Sequence, residues 1–157
     1  MSTYLFGYGS LINMEQNTEL NHIHKKICPV TVKGLKRSLN VGGKNYRVFG
    51  VKDVKTALCN GLLFKVTDKE LYNLIEREKL YVLKLLEKER IVFNYGNCLT
   101  FKPNDKIVCF YPMQKYVLTK RNLDTKPINN NYLQICIEGL SKISNYFLDD
   151  FIKTTVI

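Results

Sequence analysis

The sequence predicts one mixed domain in which several β-strands carry the core and a few helices flank them. At 157 residues the chain suits a single domain with one sizeable core. Short β-branched, aromatic or aliphatic runs, typical of strands, recur as far as Pro112, whereas helical patterns are confined to one capped segment and the C-terminal end. Hydrophobic residues make up 45% of the chain and charged residues 24%, a balance that argues against disorder.

The first predicted strand ends in an unusual turn. Tyr4, Leu5 and Phe6 form an apolar run typical of a buried strand, and Gly7-Tyr8-Gly9-Ser10 interrupts it. Two glycines around one aromatic residue allow positive φ, close approach of a ligand and several N–H groups aimed at one point. Such a turn can bind a carboxylate or an oxyanion, and a helix beginning after Ile12 would add its positive end. A tight turn that simply needs two glycines is the competing interpretation.

Further strands follow this turn. The polar segment 13–26 predicts a short helix or an irregular loop, in which we interpret His22 and His24 as surface residues rather than a metal pair. Within the apolar run 58–66, Asn60-Gly61 favours a bulge or a close backbone contact over a hairpin turn. The later predicted strands are 28–32, 33–41, 46–54, 58–66, 81–86, 87–93 and 106–112.

One helix is clearly marked, and its last turn carries an acidic residue in an unexpected place. Thr67 as N-cap and Glu70 three residues later form a capping box. Glu78 lies one turn beyond Leu74 and Ile75, on an apolar stripe where another apolar residue would be expected. A solvated charge run at a frayed helix end is the competing interpretation. A strand pattern follows at once, however, and a carboxylate at such a junction can face inward.

The C-terminal part combines a loop with two short helices. The polar segment 116–131 predicts a long loop that could cover one side of a site. Two short helices are predicted between Tyr132 and Thr154. Their apolar faces contain Ile135, Leu140, Ile143, Phe147, Leu148, Phe151 and Ile152.

The cysteine pattern and the absence of apolar spans restrict the class of protein. The longest apolar run, 107–113, is far shorter than the ~20 residues of a membrane span, and the start Met1-Ser2-Thr3-Tyr4 lacks the pattern of a secretion signal. The cysteines are odd in number, scattered and without a CxxC pair, which predicts reduced thiols and no zinc site. We therefore expect a cytoplasmic protein. The five cysteines are Cys28, Cys59, Cys98, Cys109 and Cys136.

The formal net charge of +10 raises the question of nucleic-acid binding. Two loose basic groups carry much of it, but neither is interleaved with aromatic residues, and no nucleic-acid-binding motif is present. This favours a solvated basic face, whose field would also concentrate a small anionic substrate. The two groups are Lys33, Lys36, Arg37, Lys44 and Arg47, and Lys115, Lys120, Arg121 and Lys126.

Three motifs together resemble the γ-glutamylcyclotransferase superfamily. They are the turn 6–12, the strand 60–66 and the helix end Leu74-Ile75-Glu76-Arg77-Glu78-x-x-Tyr81, and the turn is most similar to the ChaC-like branch. The segment 131–139 resembles a late Tyr…Gly element of the same family. The resemblance spans nearly the whole chain and implies one domain over 1–157. It also implies an α+β fold, a mixed β-barrel of about six or seven strands with a few flanking helices.

The resemblance implies roles for individual residues. Glu78 matches the last glutamate of the family's L-D-x-R-E pattern, which is the catalytic acid/base, and Tyr132 is similar to a substrate-contacting tyrosine. The chain departs from the family in having Ile75 in place of the aspartate, no tryptophan, and no glycine before Tyr81. The segment that would hold the γ-glutamyl group consists of Tyr8, Gly9, Ser10, Leu11 and Ile12.

The implied reaction is cyclisation of a γ-glutamyl group to 5-oxoproline, with release of an amine or a peptide. Glutathione or another γ-glutamyl peptide is the expected substrate, and γ-glutamylamines are the alternative within the same class. No metal, nucleotide or other cofactor is expected. A non-catalytic module of the same fold, binding nucleic acid or a protein through its basic surface, is the rival from another class.

Overall fold

The computed structural model describes residues 1–13, 17 and 25–157. Much of the predicted segment 13–26, with His22 and His24, lies outside the described residues. The strands are β1 (Thr3–Gly7), β2 (Ile27–Gly42), β3 (Arg47–Val66), β4 (Tyr81–Leu86), β5 (Ile91–Val92), β6 (Lys106–Pro112) and β7 (Thr155–Val156). The helices are α1 (Asp68–Arg77), α2 (Asn130–Ser141) and α3 (Asn145–Lys153).

The strands of the described chain form one mixed sheet of seven strands. Their order is β4-β6-β1-β3-β2-β5, with β7 paired to the far part of β2. The central strand β1 runs antiparallel to β3 and parallel to β6, because the chain between β1 and β6 returns to the same end of the sheet. The predicted α+β class with about six or seven strands and a few helices is confirmed, and the sheet stays open rather than closing into a complete barrel.

The hairpin β2–β3 replaces four of the predicted strands. The segments 28–32 and 33–41 are one strand, and 46–54 and 58–66 are another. Gly34 has φ of 75°, and the register shifts between Lys33 and Leu35, so the chain bends there without leaving the sheet. The boundary predicted between residues 32 and 33 is therefore a bend inside one longer strand.

Gly61 lies where β1 and β3 approach most closely. A Cβ atom at this position would be 2.4 Å from the carbonyl oxygen of Gly7 and 2.6 Å from the ring of Phe6. No side chain fits there, so the predicted close backbone contact is confirmed. The tight contact fixes the end of β1, from which the predicted turn begins.

Helix α1 begins as predicted and ends at the acidic residue. Thr67 Oγ1 accepts the Glu70 N–H at 3.1 Å, and Glu70 Oε1 accepts the Thr67 N–H at 2.9 Å, which confirms the capping box. The predicted stripe is wrong at Ile75, which is 44% exposed, whereas Leu74 is fully buried. Glu78 is the C-cap, four residues after Leu74, and so it lies on the buried face of the helix.

Most of the other predicted elements are confirmed with changed lengths, but the strand predicted over 87–93 is wrong for most of its length. The segment 87–93 is a short 3-10 helix, Lys88–Arg90, followed by the two-residue strand β5, and the two C-terminal helices are present. All five cysteines are free thiols, as expected. In the described part of the chain, no helix has both the length and the apolar character needed to cross a membrane.

Arg37 is fully buried, which corrects its assignment to a solvated basic face. Its guanidinium lies 3.5 Å from the ring centroid of Phe151, and none of its hydrogen-bond partners among the described residues is a carboxylate. Burial lowers the pKa of this guanidinium. The oxygen atoms to which it donates belong to Tyr8, Asn60, Phe151, Thr154 and Thr155.

Candidate active site

A small cavity lies where the turn after β1 meets the end of α1 and the start of α2. Its volume is about 40 Å³, and it contains Glu78, Tyr132 and the turn residues from Tyr8 to Leu11. Three segments far apart in sequence therefore meet at one point. The complete lining is Phe6, Tyr8, Gly9, Ser10, Leu11, Phe49, Glu78, Tyr81, Phe110 and Tyr132.

The turn differs in conformation from the prediction but keeps its open N–H groups. Gly9 has φ of −135°, and no glycine of the turn has positive φ. Gly9 instead allows Tyr132 and Phe49 to pack closely against the turn, because a Cβ atom there would lie 3.3 Å from Tyr132 Oη and 3.4 Å from Phe49 Cβ. Within the described residues, the N–H groups of Gly9, Ser10 and Leu11 have no acceptor, which leaves three donors at the cavity.

Ile12 lies apart from the other predicted substrate-binding residues. It is 3% exposed, packs in the hydrophobic core and does not line the cavity. The next residue ties the turn to α2, since Asn13 Nδ2 donates to the carbonyl oxygen of Ile135 at 2.9 Å. Gly139 of α2 packs directly on the backbone of Asn13. This side of the turn is thus a structural anchor.

The Glu78 carboxylate faces the cavity and is held from one side. Its side chain is 19% exposed, and Oε1 accepts a hydrogen bond from Arg77 Nη2 at 2.7 Å. Arg77 Nη1 also donates to Asn17 Oδ1 at 2.7 Å, and Asn17 Nδ2 donates to the carbonyl oxygen of Ser10 at 3.0 Å. A continuous chain of hydrogen bonds therefore joins the carboxylate to the glycine-containing turn.

Three tyrosines line the cavity together with this carboxylate. Tyr8 donates to the carbonyl oxygen of Phe110 at 2.5 Å, and Tyr81 donates to that of Phe49 at 2.6 Å. Tyr132 Oη accepts the Phe49 N–H at 3.1 Å. Burial is the main cause that raises the pKa of each phenol, and the nearby negative charge of the site adds to it. All three stay protonated at neutral pH.

The surroundings of the cavity test two other expectations. No residue of the segment 116–131 lines it, so the predicted cover is wrong. That segment packs beside the β2–β3 hairpin, where the Leu118 N–H donates to Asn40 and Pro127 accepts from the Arg47 N–H. Among the described residues, no three His, Cys, Asp or Glu side chains form a group that could hold a metal ion. The expectation of a cofactor-free site stays a prediction.

Several residues of the site were not identified from sequence. Phe49 and Phe110 both lie in segments predicted to be extended, but the strand pattern alone did not show that they would line the same cavity as the turn. Arg77 precedes Glu78 directly, and this Arg-Glu dipeptide was the available signal for the ion pair. Asn17 stands in a polar segment without any distinguishing pattern.

No protein-family profile matches the sequence, and no curated protein sequence matches it either. Solved structures do match. A γ-glutamyl cyclotransferase aligns with a TM-score of 0.65 at 14% identity, covering 100% of this chain and 90% of its own. A yeast γ-glutamyl cyclotransferase specific to glutathione aligns with a TM-score of 0.65 at 12% identity, and the alignment covers 98% of this chain and 97% of the yeast chain. YkqA from Bacillus subtilis aligns with a TM-score of 0.70 at 16% identity, and the alignment covers 97% of this chain and 53% of YkqA. The chain therefore has the fold of the γ-glutamyl cyclotransferases.

Proposed function

We propose that this protein is a γ-glutamylcyclotransferase. The observation that carries the proposal is that one cavity is lined both by Glu78, whose side chain is 19% exposed, and by a turn whose N–H groups at residues 9–11 have no acceptor among the described residues. The substrate is a small γ-glutamyl compound, with glutathione or another γ-glutamyl peptide first. Structural similarity to a glutathione-specific cyclotransferase supports this choice. The five free thiols suit the reducing cytoplasm, where we place the activity.

In the proposed reaction the substrate's α-amino nitrogen attacks its own γ-carbonyl carbon. A new C–N bond closes the five-membered ring, the original bond from the γ-carbon to nitrogen breaks, and 5-oxoproline and an amine are released. Because both reacting groups belong to one molecule, the reaction already has a high effective concentration. The protein has to fold the substrate back on itself, move two protons from the attacking to the departing nitrogen and stabilise the developing oxyanion.

In this proposal Glu78 carries protons from the attacking α-nitrogen to the departing nitrogen. The α-ammonium of the substrate titrates near ~8 and is mostly protonated at neutral pH, so it cannot attack until a base removes a proton. The Glu78 carboxylate takes this first proton before the attack and a second one from the attacking nitrogen as the ring closes. Both pass in turn to the departing nitrogen, so the ammonium becomes the lactam N–H, the amine leaves as an ammonium, and the reaction balances. Arg77 Nη2 donates to Oε1 at 2.7 Å, and in this proposal Oε2 is the oxygen that takes up the protons. General acid–base catalysis of this kind contributes typically about 10²–10⁴-fold.

The turn and Tyr132 bind the glutamyl part. The N–H groups of Gly9, Ser10 and Leu11 can donate to the substrate α-carboxylate or to the oxyanion of the tetrahedral intermediate. Tyr132 stays protonated and lies against Gly9, so its hydroxyl can orient the same group. The low exposure of the surrounding aromatic side chains lowers the local polarity, which strengthens charge-assisted hydrogen bonds.

The decisive variant is Glu78→Gln, which keeps the size of the side chain and removes the base. We expect 5-oxoproline release to fall by at least about 10²-fold, mainly in kcat, with an unchanged unfolding midpoint. Glu76→Gln is the matched control, because Glu76 is an exposed carboxylate of the same helix and its replacement changes the net charge equally. Wild-type turnover by Glu78→Gln would remove this residue from the mechanism.

Tyr132→Phe tests the binding role. The phenyl ring keeps the contact with Phe49 but loses the hydroxyl that accepts the Phe49 N–H and lies beside Gly9. We expect a raised KM with a smaller change in kcat, since the hydroxyl orients substrate and does not carry the proton. Steady-state kinetics with unchanged KM and kcat would contradict the assignment.

A substrate panel separates the remaining alternatives. Glutathione, γ-glutamyl amino acids and γ-glutamylamines should be assayed together for 5-oxoproline, since each has the same reacting head and a different leaving group. Turnover of γ-glutamylamines alone would select the second candidate activity. Failure of every compound, combined with salt-sensitive binding of nucleic acid, would favour the non-catalytic module instead.

A further inference from the structure

A second, larger depression lies on the other side of the strands that form the candidate site. The strand β3 directs Phe49 toward the candidate site and Lys52 into this depression, and β6 does the same with Phe110 and Tyr111. Side chains alternate between the two faces of a strand, so the two sites lie back to back. Its volume is about 630 Å³, within the range of small-molecule sites.

Four lysines converge on this depression, which we call the basic groove. They come from four different parts of the chain, namely β2, β3, β4 and the segment after β6. The groove thus joins Lys36 and Lys120, members of the two basic groups, which are more than half of the chain apart in sequence. The four residues are Lys36, Lys52, Lys84 and Lys120.

Two of the groove lysines have no ion-pair partner within the described part of the protein. Lys36 and Lys52 are direct cross-strand partners, an arrangement that is destabilising for two like charges, and neither is in an ion pair among the described residues. The carboxylate that lines the groove, Asp53, already accepts from Tyr111 at 2.8 Å and from Arg90 at 3.0 Å. A bound anion would relieve this repulsion.

The rest of the lining indicates the kind of anion. Apolar side chains of Pro112, Val117, Leu118 and Leu123 form one wall beside the lysines. The aromatic residue of the lining, Tyr111, is 7% exposed and offers no stacking platform for the bases of a nucleic-acid strand. We propose that the basic groove binds a small phosphorylated compound of nucleotide size, with its phosphates on the lysines and its body on the apolar wall.

The probes are ATP, inorganic pyrophosphate and uncharged adenosine, with binding measured by calorimetry on the full chain. We expect ATP and pyrophosphate to bind and adenosine to bind far more weakly. The double variant Lys36→Gln/Lys52→Gln should weaken ATP binding by at least about tenfold, because two charge-assisted contacts are lost. The control Lys55→Gln/Lys69→Gln changes the net charge equally at two exposed lysines outside the groove, and it should bind as the wild type does.

Lys52→Glu separates binding from folding. It replaces the like-charge pair with Lys36 by an opposite-charge pair, so the thermal midpoint of the ligand-free protein should hold or rise while ATP binding is lost. Equal ATP binding by the groove variant and the control variant would overturn the proposal, and so would no binding of ATP and pyrophosphate. Tighter lysine-dependent binding of a single-stranded oligonucleotide than of ATP would also overturn it and make this surface a nucleic-acid site. Ligand binding and the thermal midpoint are both measured without 5-oxoproline release, so the groove proposal and the proposed catalytic function can fail separately.

Discussion

Replacing Arg37 by methionine should lower the free energy of unfolding by about 4 kcal/mol. The guanidinium makes six polar contacts with oxygen atoms, but the two threonine hydroxyls and the Phe151 carbonyl also have other partners. Removal of Arg37 therefore costs most at the main-chain carbonyls of Tyr8 and Asn60, since the second keeps only a weak contact with the Cys59 thiol at 3.6 Å. Two buried acceptors left unsatisfied cost about 1–3 kcal/mol each, hence about 2–6 kcal/mol in total.

An opposing term has to be included. A buried guanidinium without a carboxylate partner is itself costly, and methionine removes that cost while filling a similar volume. We expect the loss of satisfied carbonyls to win, because Arg37 reaches acceptors on the turn, on β3 and on α3, which no apolar side chain can replace. Arg37→Lys should lose nearly as much, since an ammonium lacks the planar fork.

The assay is urea unfolding at neutral pH with linear extrapolation, comparing midpoints at constant slope. Arg121→Met is the matched control for Arg37→Met, and Arg121→Lys is the control for Arg37→Lys, because Arg121 is exposed and each pair makes the same chemical change. A difference between Arg37→Met and the wild type of less than about 1 kcal/mol would refute the reasoning, because it would mean that relief of the buried charge cancels the lost hydrogen bonds. A reduced slope would show instead that the native state had loosened.

Two further predictions follow from packing and burial. Gly61→Ala places a Cβ atom 2.4 Å from the Gly7 carbonyl oxygen, so we expect a loss of about 3 kcal/mol or more in urea unfolding, and near-wild-type stability would contradict the close contact. Tyr8, Tyr81 and Tyr132 have raised pKa values in the folded state, so the stability they contribute is complete below about pH 10 and is lost as the pH rises further. In an alkaline titration followed by phenolate absorbance, these three should ionise only as the protein unfolds, whereas early ionisation of all ten tyrosines would count against their burial.

The elements with local signals were predictable from the sequence. The capping box of Thr67 and Glu70 depends on residues three apart, and the structure has both of its hydrogen bonds. The close contact at Gly61 could also be predicted, because glycine inside an apolar strand often marks a bulge or the close approach of another backbone. Where a structural feature depends only on residues close together in the chain, one sequence is enough to predict it.

The features that depend on distant partners were not predictable. Gly34 has the same sequence signal whether it ends a strand or bends one, and only the pairing with β3 decides. The count of basic residues treats Arg37 as a surface charge, although tertiary contacts bury it. The link from Glu78 through Arg77 and Asn17 to the turn likewise joins residues that only the folded sheet brings together.

The central position of β1 has a consequence for synthesis of the protein. The ribosome makes this strand first, yet its parallel partner begins at Lys106, and the turn that follows it is fastened by Ile135 and Gly139 of α2. A nascent chain must therefore keep its aromatic N-terminal segment unpaired on one side until most of the polypeptide has emerged, which is the costly order for long-range pairing. Any catalytic competence should arise late and in a single step, and shortened translation products should be inert and prone to aggregate.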